Sequence, residues 1–446
     1  DRDPKAPAPE SPEHALAEYL RQPPDAGPAT LRFGIDANVP AKGGNAAQKR
    51  EHDKRIGAGT MSRAGAQCPC CGTFNTMQDI RLEGKAGRLS NIMTTVVIDG
   101  VKGKEYRLPT RHEVDIADID DAKIDHMFSQ LPTGHLEAQL PLSRLEGNSG
   151  FRVILYGIDS WRRLVLGRQY AMLGSFSVSA RMARQECRGM GYDDDWVEAV
   201  AAYLGIGVDR IVDSSTTICH WQIGAEFSVN TLQRFALPMS WDFSEANTLS
   251  TLTGSFVNAM NWIGLVVAHC LDAVAAAPSP NVLRQSSATL NENATHDLIL
   301  TDPPYYDAIA YSDVMDLFYC WLRGTVSDLS TDTKEAFASP IGPKWDKNAE
   351  DGELIDDRSR FDGDAVASKS AYEAGMARVF RRCFDALSQN GRFVVVFAHK
   401  HPNAWETLVS AMITAGFVVD GCWPIQTERA SRSIAINAAA LSSSVW

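Results

Sequence analysis

The spacing of apolar residues predicts helices through the middle of the chain. From Asp159 onward apolar residues recur every three or four positions, which marks one face of a helix. The first such face consists of Leu166, Tyr170, Leu173, Phe176 and Ala180. A second face follows the acidic run DDDW and consists of Val197, Val200, Leu204, Val208 and Ile211. A third helix is predicted over the run SFVNAMNWIGLVVAHCLDAV, which ends at Val274.

Acidic residues and glycines set the limits of the second helix. Asp194 or Asp195 is expected to cap its N-terminus, because a carboxylate accepts hydrogen bonds from the free N–H groups there. Gly205 and Gly207 lie inside the apolar stripe. Each glycine weakens a helix by about 1 kcal/mol relative to alanine, so a break is predicted at this point.

Strands alternate with helices in the last part of the chain. The run HDLILT is continuously apolar, which predicts a strand buried on both faces, as in a parallel sheet. The next helix face consists of Tyr372, Met376, Val379, Cys383 and Leu387. The run SQNG is predicted to break that helix before a second buried strand, RFVVVFAHK, and a last helix ends at Gly416. This alternation predicts a doubly wound α/β domain over residues 290–446.

Three further regions precede the α/β domain. Residues 1–60 are rich in proline, alanine, glycine and charge and are interpreted as a linker or irregular insertion. Residues 61–150 contain cysteine-rich turns and short runs such as TTVVID, which predict a small β module, with an acidic, loop-like segment over residues 110–150. Residues 151–280 form the helical region.

Composition and charge restrict the class of protein. A chain of 446 residues exceeds what one core usually holds, so two or three domains are expected. No run of about 18 consecutive apolar residues occurs, so no membrane span is expected. The net charge of −12 argues against a protein that coats DNA non-specifically. Local basic runs such as QKREHDKR and WRRLVLGRQY stay open as nucleic-acid contacts or as solvated surface.

The cysteines and the first residues indicate the compartment. Of nine cysteines only Cys68, Cys70 and Cys71 cluster, which is not typical of a disulfide framework and favours the reducing cytoplasm. The first residues contain no basic head or apolar core of a secretory leader. They also lack an initiator methionine, so the chain is interpreted as a piece of a longer protein.

The run LILTDPPYYD holds the candidate chemistry. Asp302 follows a predicted strand, and ligands of open α/β sheets bind beyond the carboxyl ends of strands. Asp302 offers a carboxylate, while Pro303 and Pro304 have fixed φ and present carbonyl acceptors in a rigid frame. Tyr305 adds a flat ring beside them. Together these groups suit a planar ligand that carries an amino substituent, such as a nucleobase.

Such a site suits attack by the amine of a nucleobase on a methyl group. The exocyclic amine of adenine is a poor nucleophile, because its lone pair is delocalised into the ring. Hydrogen bonds from the amine to Asp302 and to a proline carbonyl would bend it toward tetrahedral geometry and free the lone pair. Positioning and charge complementarity then supply most of the catalysis.

The motif TDPPYYD resembles the catalytic motif of amino-methylating DNA methyltransferases, in which Asp, Asn or Ser precedes Pro-Pro and an aromatic residue. Further segments, in the same order, resemble the adenine-specific DNA methylases that contain a zinc ribbon. These segments are RAGAQCPCCGT and EGKAGRL, YGIDSWRRLVLGRQ, SSTTICHW, FALPMSWDFSEAN, TDPPYYDAIAYSDVMDLFYCWLR and GFVVDGCWPIQTE. The resemblance covers most of residues 60–446.

The resemblance implies a Rossmann-like methyltransferase fold, S-adenosylmethionine as donor and adenine N6 of DNA as acceptor. By position, Asp302 and Pro303 contact the amine and Tyr305 stacks on the flipped base, and Pro304 completes the catalytic set. The implied partners are DNA and restriction or phage-defence subunits. The family also has a glycine-rich donor loop, Phe/Cys-x-Gly-x-Gly, upstream of the ribbon, and this chain contains no such loop.

Residues around the motif are expected to complete the site. Substrate binding is expected from Tyr306, Asp307, Tyr311, His399 and Lys400. Donor binding is expected from Asp302, Trp241 and Asp242. Cys68 and Cys71 form a C-x-x-C, one half of the four-ligand set of a zinc ribbon, and the resemblance implies a partner pair upstream.

Other functions remain compatible with these residues. The same four motif residues would support methylation of cytosine N4 or of RNA, since only the shape of the pocket separates these substrates. A non-catalytic nucleic-acid-binding subunit of a defence complex is favoured by the missing glycine loop. The motif itself is open to two other interpretations, an ordinary Asp-Pro turn or a proline–tyrosine ligand for a WW-type module.

Overall fold

A computed structural model gives the fold of part of the chain. It describes residues 33–35, 44–57, 59–141, 150–222, 225–232, 236–290, 295–307, 309–399, 401–425 and 444–445. Over these residues the fold is mixed α/β, with short sheets of two strands each.

The helices among the described residues are α1 (Ala46–Ile56), α2 (Met77–Lys85), α3 (Arg111–Ala117), α4 (Asp121–Phe128), α5 (Gly167–Gly189), α6 (Asp194–Val212), α7 (Phe256–Val274), α8 (Tyr311–Val326), α9 (Thr331–Ala336), α10 (Ala365–Ala386) and α11 (Pro402–Ala415). The strands are β1 (Gly65–Gln67), β2 (Phe74–Thr76), β3 (Val96–Gly100), β4 (Gly103–Arg107), β5 (His220–Gln222), β6 (Phe227–Val229), β7 (His296–Thr301), β8 (Leu387–Val395), β9 (Pro424–Ile425) and β10 (Ser444–Val445). Short 3₁₀ turns lie at Arg152–Tyr156, Trp161–Leu164, Ser287–Thr289 and Arg358–Phe361.

Two segments expected to be irregular contain helices. Helix α1 lies within residues 1–60, and α3 and α4 lie within the segment 110–150, so the loop-like interpretation of those residues is wrong. The side chain of Thr110 accepts from the N–H of Glu113, and Glu113 accepts from the N–H of Thr110. This reciprocal capping box stabilises a helix start. The polar residues that suggested a loop act here as helix caps.

Helix α6 continues through the two glycines where a break was predicted, so that prediction is wrong. A Cβ on Gly205 would lie 2.8 Å from Cγ1 of Val326, and one on Gly207 would lie 2.6 Å from Sδ of Met260. The glycines therefore let α6 approach α8 on one side and α7 on the other. The N-cap position is Asp193, and Asp194 lies in the first turn, so the predicted cap is off by one residue.

A buried aspartate in α6 gives a pH-dependent prediction. Burial raises the pKa of Asp209 well above its ordinary value of 3.8, and its Oδ1 is buried without a hydrogen-bond partner among the described residues. The folded state therefore keeps its proton to a higher pH than the unfolded state, so stability falls as pH rises above about 3.8. We expect Asp209→Asn to stabilise the protein at pH 7, by about 1.4 kcal/mol for each unit between the two pKa values.

Urea unfolding of both proteins at pH 3.5 and pH 7 measures this effect. The gain should be present at pH 7 and absent at pH 3.5, while Asp272→Asn on the exposed part of α7 should change neither value. An equal gain at both pH values would mean that protonation of Asp209 does not contribute.

One core joins the middle of the chain to α8. The ring of Phe128 stacks on that of Tyr170 with centroids 4.0 Å apart, and the guanidinium of Arg162 lies 4.0 Å from the centre of the Tyr170 ring. Trp321 of α8 packs edge-on to Tyr170 at 5.6 Å. Because Trp321 is 2% exposed, α8 is fixed to the helical region along its length.

Among the described residues of the C-terminal part, two strands pair in parallel. Strands β7 and β8 pair in parallel and are joined by α8, α9 and α10, as in a βαβ unit. The run SQNG was predicted to separate a helix from the next strand. It lies within β8 instead, so that prediction is wrong. Leu298 and Leu300 of β7 are 60% and 57% exposed. The predicted burial of β7 on both faces is therefore wrong for the described residues, which pair β7 with β8 alone.

Helix α7 is the most apolar exposed element. It is long and apolar enough to cross a membrane by length and composition alone, with 6% of that stretch buried. Sequence analysis expected no such segment, because polar residues interrupt its apolar run. The first turns of α7 pack on α6, where Phe256 and Met260 lie against Gly207.

Candidate functional site

The two parallel strands end side by side and place the candidate site at their carboxyl edge. Thr301 pairs with Val395, and the N–H of Val396 donates to the carbonyl of Thr301 at 2.8 Å. Asp302 therefore follows one strand end while Phe397 follows the other. The strand end that the sequence predicted before Asp302 is confirmed.

The carboxylate of Asp302 faces solvent. Its residue is exposed, and no ion pair or hydrogen bond holds it within the described residues. Tyr311 lies close to it: burial raises the pKa of the Tyr311 hydroxyl, and the negative charges of Asp302 and Glu353 raise it further. The fold thus brings the predicted residues Asp302 and Tyr311 together and leaves the carboxylate available to a ligand.

The two proline carbonyls differ in availability. The hydroxyl of Tyr372 donates to the carbonyl of Pro304 at 2.9 Å, and the N–H of Tyr306 donates to that hydroxyl at 3.3 Å. Tyr372 is 2% exposed, and burial raises the pKa of its hydroxyl to about 12. The carbonyl of Pro304 therefore fixes the loop. The carbonyl of Pro303 accepts no hydrogen bond within the described part of the chain.

The two tyrosines of the motif have different surroundings. The ring of Tyr305 packs edge-on to Phe397, with centroids 5.3 Å apart, and is partly buried. Tyr306 has a left-handed backbone, with φ of 58°, and its ring packs edge-on to Tyr372 at 5.3 Å. Burial raises the pKa of its hydroxyl, and a hydrogen bond to Asp356 raises it further. Tyr306 therefore anchors the loop, whereas Tyr305 lies beside Asp302.

Two other predicted residues bind each other. Nε2 of His399 lies 3.0 Å from the carboxylate of Asp307, and Nδ1 accepts from the N–H of His401 at 3.1 Å. Because Nδ1 accepts, it carries no proton, and Nε2 is the nitrogen that donates to Asp307. His399 is 6% exposed, and its hydrogen bond holds the carboxylate of Asp307 in position. Lys400 lies outside the described residues.

A buried polar network fixes the start of α8, next to Tyr311. The N–H and hydroxyl of Ser312 donate to Glu353 at 3.0 and 2.6 Å, and Arg360 donates to both Ser312 and Glu353. Lys344 lies 2.8 Å from Asp316, in the next turn of α8. These contacts join residues about 40 positions apart.

Sequence reasoning missed the residues that hold this loop. Tyr372 was identified only as one position of an apolar helix face, and Glu353, Asp356 and Arg360 lie in a polar stretch without periodicity. The sequence carries one indication of such a role: charged residues of both signs concentrate between Lys344 and Asp364, which is typical of a segment fixed by ion pairs.

The predicted donor residues Trp241 and Asp242 lie in one exposed loop. The ring of Trp241 packs edge-on to Tyr156 at 5.3 Å and is 44% exposed, and Asp242 is exposed in the same loop. No hydrogen bond, ion pair or ring contact connects either residue directly to Asp302 among the described residues, and their role in donor binding stays a prediction.

The cysteine pair lies in a hairpin turn. Cys68 and Cys71 connect β1 to β2, and the N–H of Gly72, with φ of 74°, donates to the carbonyl of Cys68 at 2.8 Å. The thiol of Cys71 lies 3.2 Å from the hydroxyl of Thr73, which lowers its pKa. Within the described ranges no three or more His, Cys, Asp or Glu side chains are placed to hold a metal. These residues provide at most half of a tetrahedral zinc set.

Comparisons of the chain with protein-family models, with curated proteins and with solved structures found no match.

Proposed function

We propose that the protein transfers a methyl group from S-adenosylmethionine to the exocyclic amine of a nucleobase, with adenine N6 in DNA as the first candidate. The observation that carries the proposal is the exposed carboxylate of Asp302 at the carboxyl edge of a parallel strand pair. In the chain it directly precedes Pro303, whose carbonyl accepts no hydrogen bond among the described residues, and Tyr305 follows two positions later. The resemblance of TDPPYYD to the motif of amino-methyltransferases supports the same reaction.

The described residues act on the amine. Asp302 and the carbonyl of Pro303 accept its two N–H groups, which makes the nitrogen pyramidal and frees its lone pair for attack. Tyr372 keeps the carbonyl of Pro304, and with it the loop, in place. When bound, the donor would supply an electrophilic methyl group on sulfur: the new N–C bond would form as the C–S bond breaks and leaves a neutral thioether, and one amine proton would then be lost to water. Positive charge that develops on the amine is stabilised by the negative carboxylate of Asp302, which the loop already holds in place.

The remaining parts of the proposal follow from the resemblance. The β7–α8–β8 unit is proposed to belong to a Rossmann-like methyltransferase core, since the site lies at the carboxyl ends of its parallel strands. Zinc bound by Cys68 and Cys71 with a second pair, DNA and restriction or defence subunits as partners, and a cytoplasmic location belong to the same proposal. Donor contacts from Asp302, Trp241 and Asp242 belong to it as well.

A second candidate is a non-catalytic nucleic-acid-binding subunit of a defence complex. It is favoured by the lack of a direct contact between Asp302 and the predicted donor residues Trp241 and Asp242 among the described residues. Titration calorimetry with S-adenosylmethionine separates the two candidates. The acceptor is identified by transfer of a labelled methyl group to two oligonucleotides, in which either adenine or cytosine is the sole amine-bearing base. Donor binding with transfer to adenine supports the first candidate. Nucleic-acid binding without donor binding supports the second.

We expect Tyr305→Ala to weaken capture of the target base by about 1–3 kcal/mol, the contribution of one base stacked on an aromatic ring. The Michaelis constant for the oligonucleotide should rise about 5- to 150-fold, as measured by methyl transfer at saturating donor. Tyr305→Phe keeps the ring and its edge-on packing against Phe397, so it should retain the wild-type constant. A wild-type constant in Tyr305→Ala would contradict the stacking role.

A further inference from the structure

A second candidate site lies at the far end of α8. A cavity of about 500 Å³ opens there. Its walls come from α8, from α9 and from the loop that follows α4. They consist of Pro132, Thr133, Arg323, Ser327, Asp328, Ser330, Thr331, Lys334, Phe337 and Ala338. Helix α8 has 16 residues, so this end lies about 24 Å from the start of the helix at Tyr311, at 1.5 Å per residue.

The one acidic residue in the cavity wall is already neutralised. Arg181 donates to both carboxylate oxygens of Asp328 at 2.7 Å, and Arg184 donates to both at 3.0 and 3.1 Å. These four hydrogen bonds hold the pKa of Asp328 well below its usual range. Two cations therefore face one anion, and the group of three has a net charge of about +1 at pH 7.

Two cations that line the cavity, Arg323 and Lys334, have hydrogen-bond donors without a partner among the described residues. Nε of Arg323 donates to the carbonyl of Phe337 at 3.0 Å. The terminal nitrogens of Arg323 and the ammonium of Lys334 make no hydrogen bond or ion pair within the described residues. Asp332 and Glu335 of α9 are exposed but do not line the cavity. The cavity is therefore locally positive, although the whole chain carries a net charge of −12.

We propose that this cavity binds a phosphodiester group of a nucleic-acid strand, with Arg323 and Lys334 as its charged contacts and the hydroxyl groups of Ser327 and Thr331 beside them. Arginine and lysine are the residues that bind phosphate most strongly. The volume exceeds the need of a single phosphate and suits a nucleotide unit. The inference rests on the proposed function, because it assigns the cavity to the same strand that presents the target base to Asp302.

Salt dependence of binding tests the cavity. Binding of a fluorescent single-stranded 20-mer is measured by anisotropy between 50 and 300 mM NaCl, for the wild-type chain and for Arg323→Gln/Lys334→Gln. Each lost phosphate contact reduces the slope of log Kd against log salt by about 0.7 for a single strand, so we expect a decrease of roughly 0.7–1.4. Lys102→Gln, at the exposed turn between β3 and β4, removes a cation elsewhere and should leave the slope unchanged.

The outcomes separate this inference from the proposed function. An unchanged slope in the double variant overturns the cavity assignment, even if Asp302→Ala abolishes methyl transfer. A reduced slope together with full transfer by Asp302→Ala retains the cavity and removes the proposed catalysis. Direct binding of inorganic phosphate or a mononucleotide at micromolar concentration, with no binding of the 20-mer, would assign the cavity to a small anion and overturn the nucleic-acid assignment.

Discussion

Replacement of Asp302 by alanine is expected to abolish methyl transfer while nucleic-acid affinity stays within about twofold of wild type. The carboxylate is exposed at the carboxyl edge of β7 and forms no ion pair within the described residues, so its removal costs the fold little. It is the only charged acceptor of the motif placed beside the carbonyl of Pro303. Loss of one such preorganised contact lowers turnover by about 10²- to 10³-fold or more.

Turnover is measured by transfer of a labelled methyl group, and nucleic-acid affinity is measured by fluorescence anisotropy on the same preparations. Asp297→Ala is the matched control, since Asp297 is an exposed aspartate on the same strand and lies at its opposite end. It should keep both turnover and affinity. A near-normal transfer rate in Asp302→Ala would show that the carboxylate does not bind the amine, and the proposed function would then have no support in the structure.

Replacement of Arg360 by methionine is expected to destabilise the protein by about 3–5 kcal/mol. Its side chain is 10% exposed and lies within 3.6 Å of Asp313 and Asp357, while it also donates to Glu353. Removing one partner of a buried ion pair leaves uncompensated charge in a poorly solvated place, which costs about this amount. The start of α8 would lose its anchor at the same time, because Arg360 donates to Ser312 at 3.0 Å.

Urea unfolding followed by circular dichroism measures the change. Arg358→Met, two positions earlier in the same 3₁₀ turn, removes an exposed cation and should change stability by less than about 0.5 kcal/mol. Glu353→Gln added to Arg360→Met removes one of the unpaired charges and should recover part of the loss. Equal stability of Arg360→Met and Arg358→Met would show that the buried network contributes little.

Local patterns predicted most of the elements near the site. The helical spacing gave α5 and α6, the apolar run HDLILT gave β7, and Gly416 ends α11 with φ of 104°. These features depend on neighbours a few positions away in sequence. The error at Gly205 and Gly207 has a tertiary cause: these glycines were judged by helix propensity, and contacts with Val326 and Met260 decided their role. Tertiary packing outweighs a propensity cost of about 1 kcal/mol.

The candidate site also has some features that the sequence predicted and others that only the fold decided. The motif TDPPYYD, its place after a strand and the nearness of the second strand end followed from sequence. Which proline carbonyl stays open did not, because Tyr372 lies 68 positions from Pro304. Whether Trp241 and Asp242 belong to the site also depends on contacts between distant residues, and the contact that the structure gives Trp241 is with Tyr156.

The sequence by itself determined which groups are present and which of them follow a strand: one carboxylate, two rigid carbonyls and a ring at Asp302–Tyr305. The tertiary structure decided which of these groups stay available, since Tyr372 engages Pro304, His399 engages Asp307, and Asp302 is left exposed. The physical reason is that a hydrogen-bond donor or acceptor is satisfied by whatever lies about 3 Å away. That distance in space does not depend on how far apart the two residues are in the sequence.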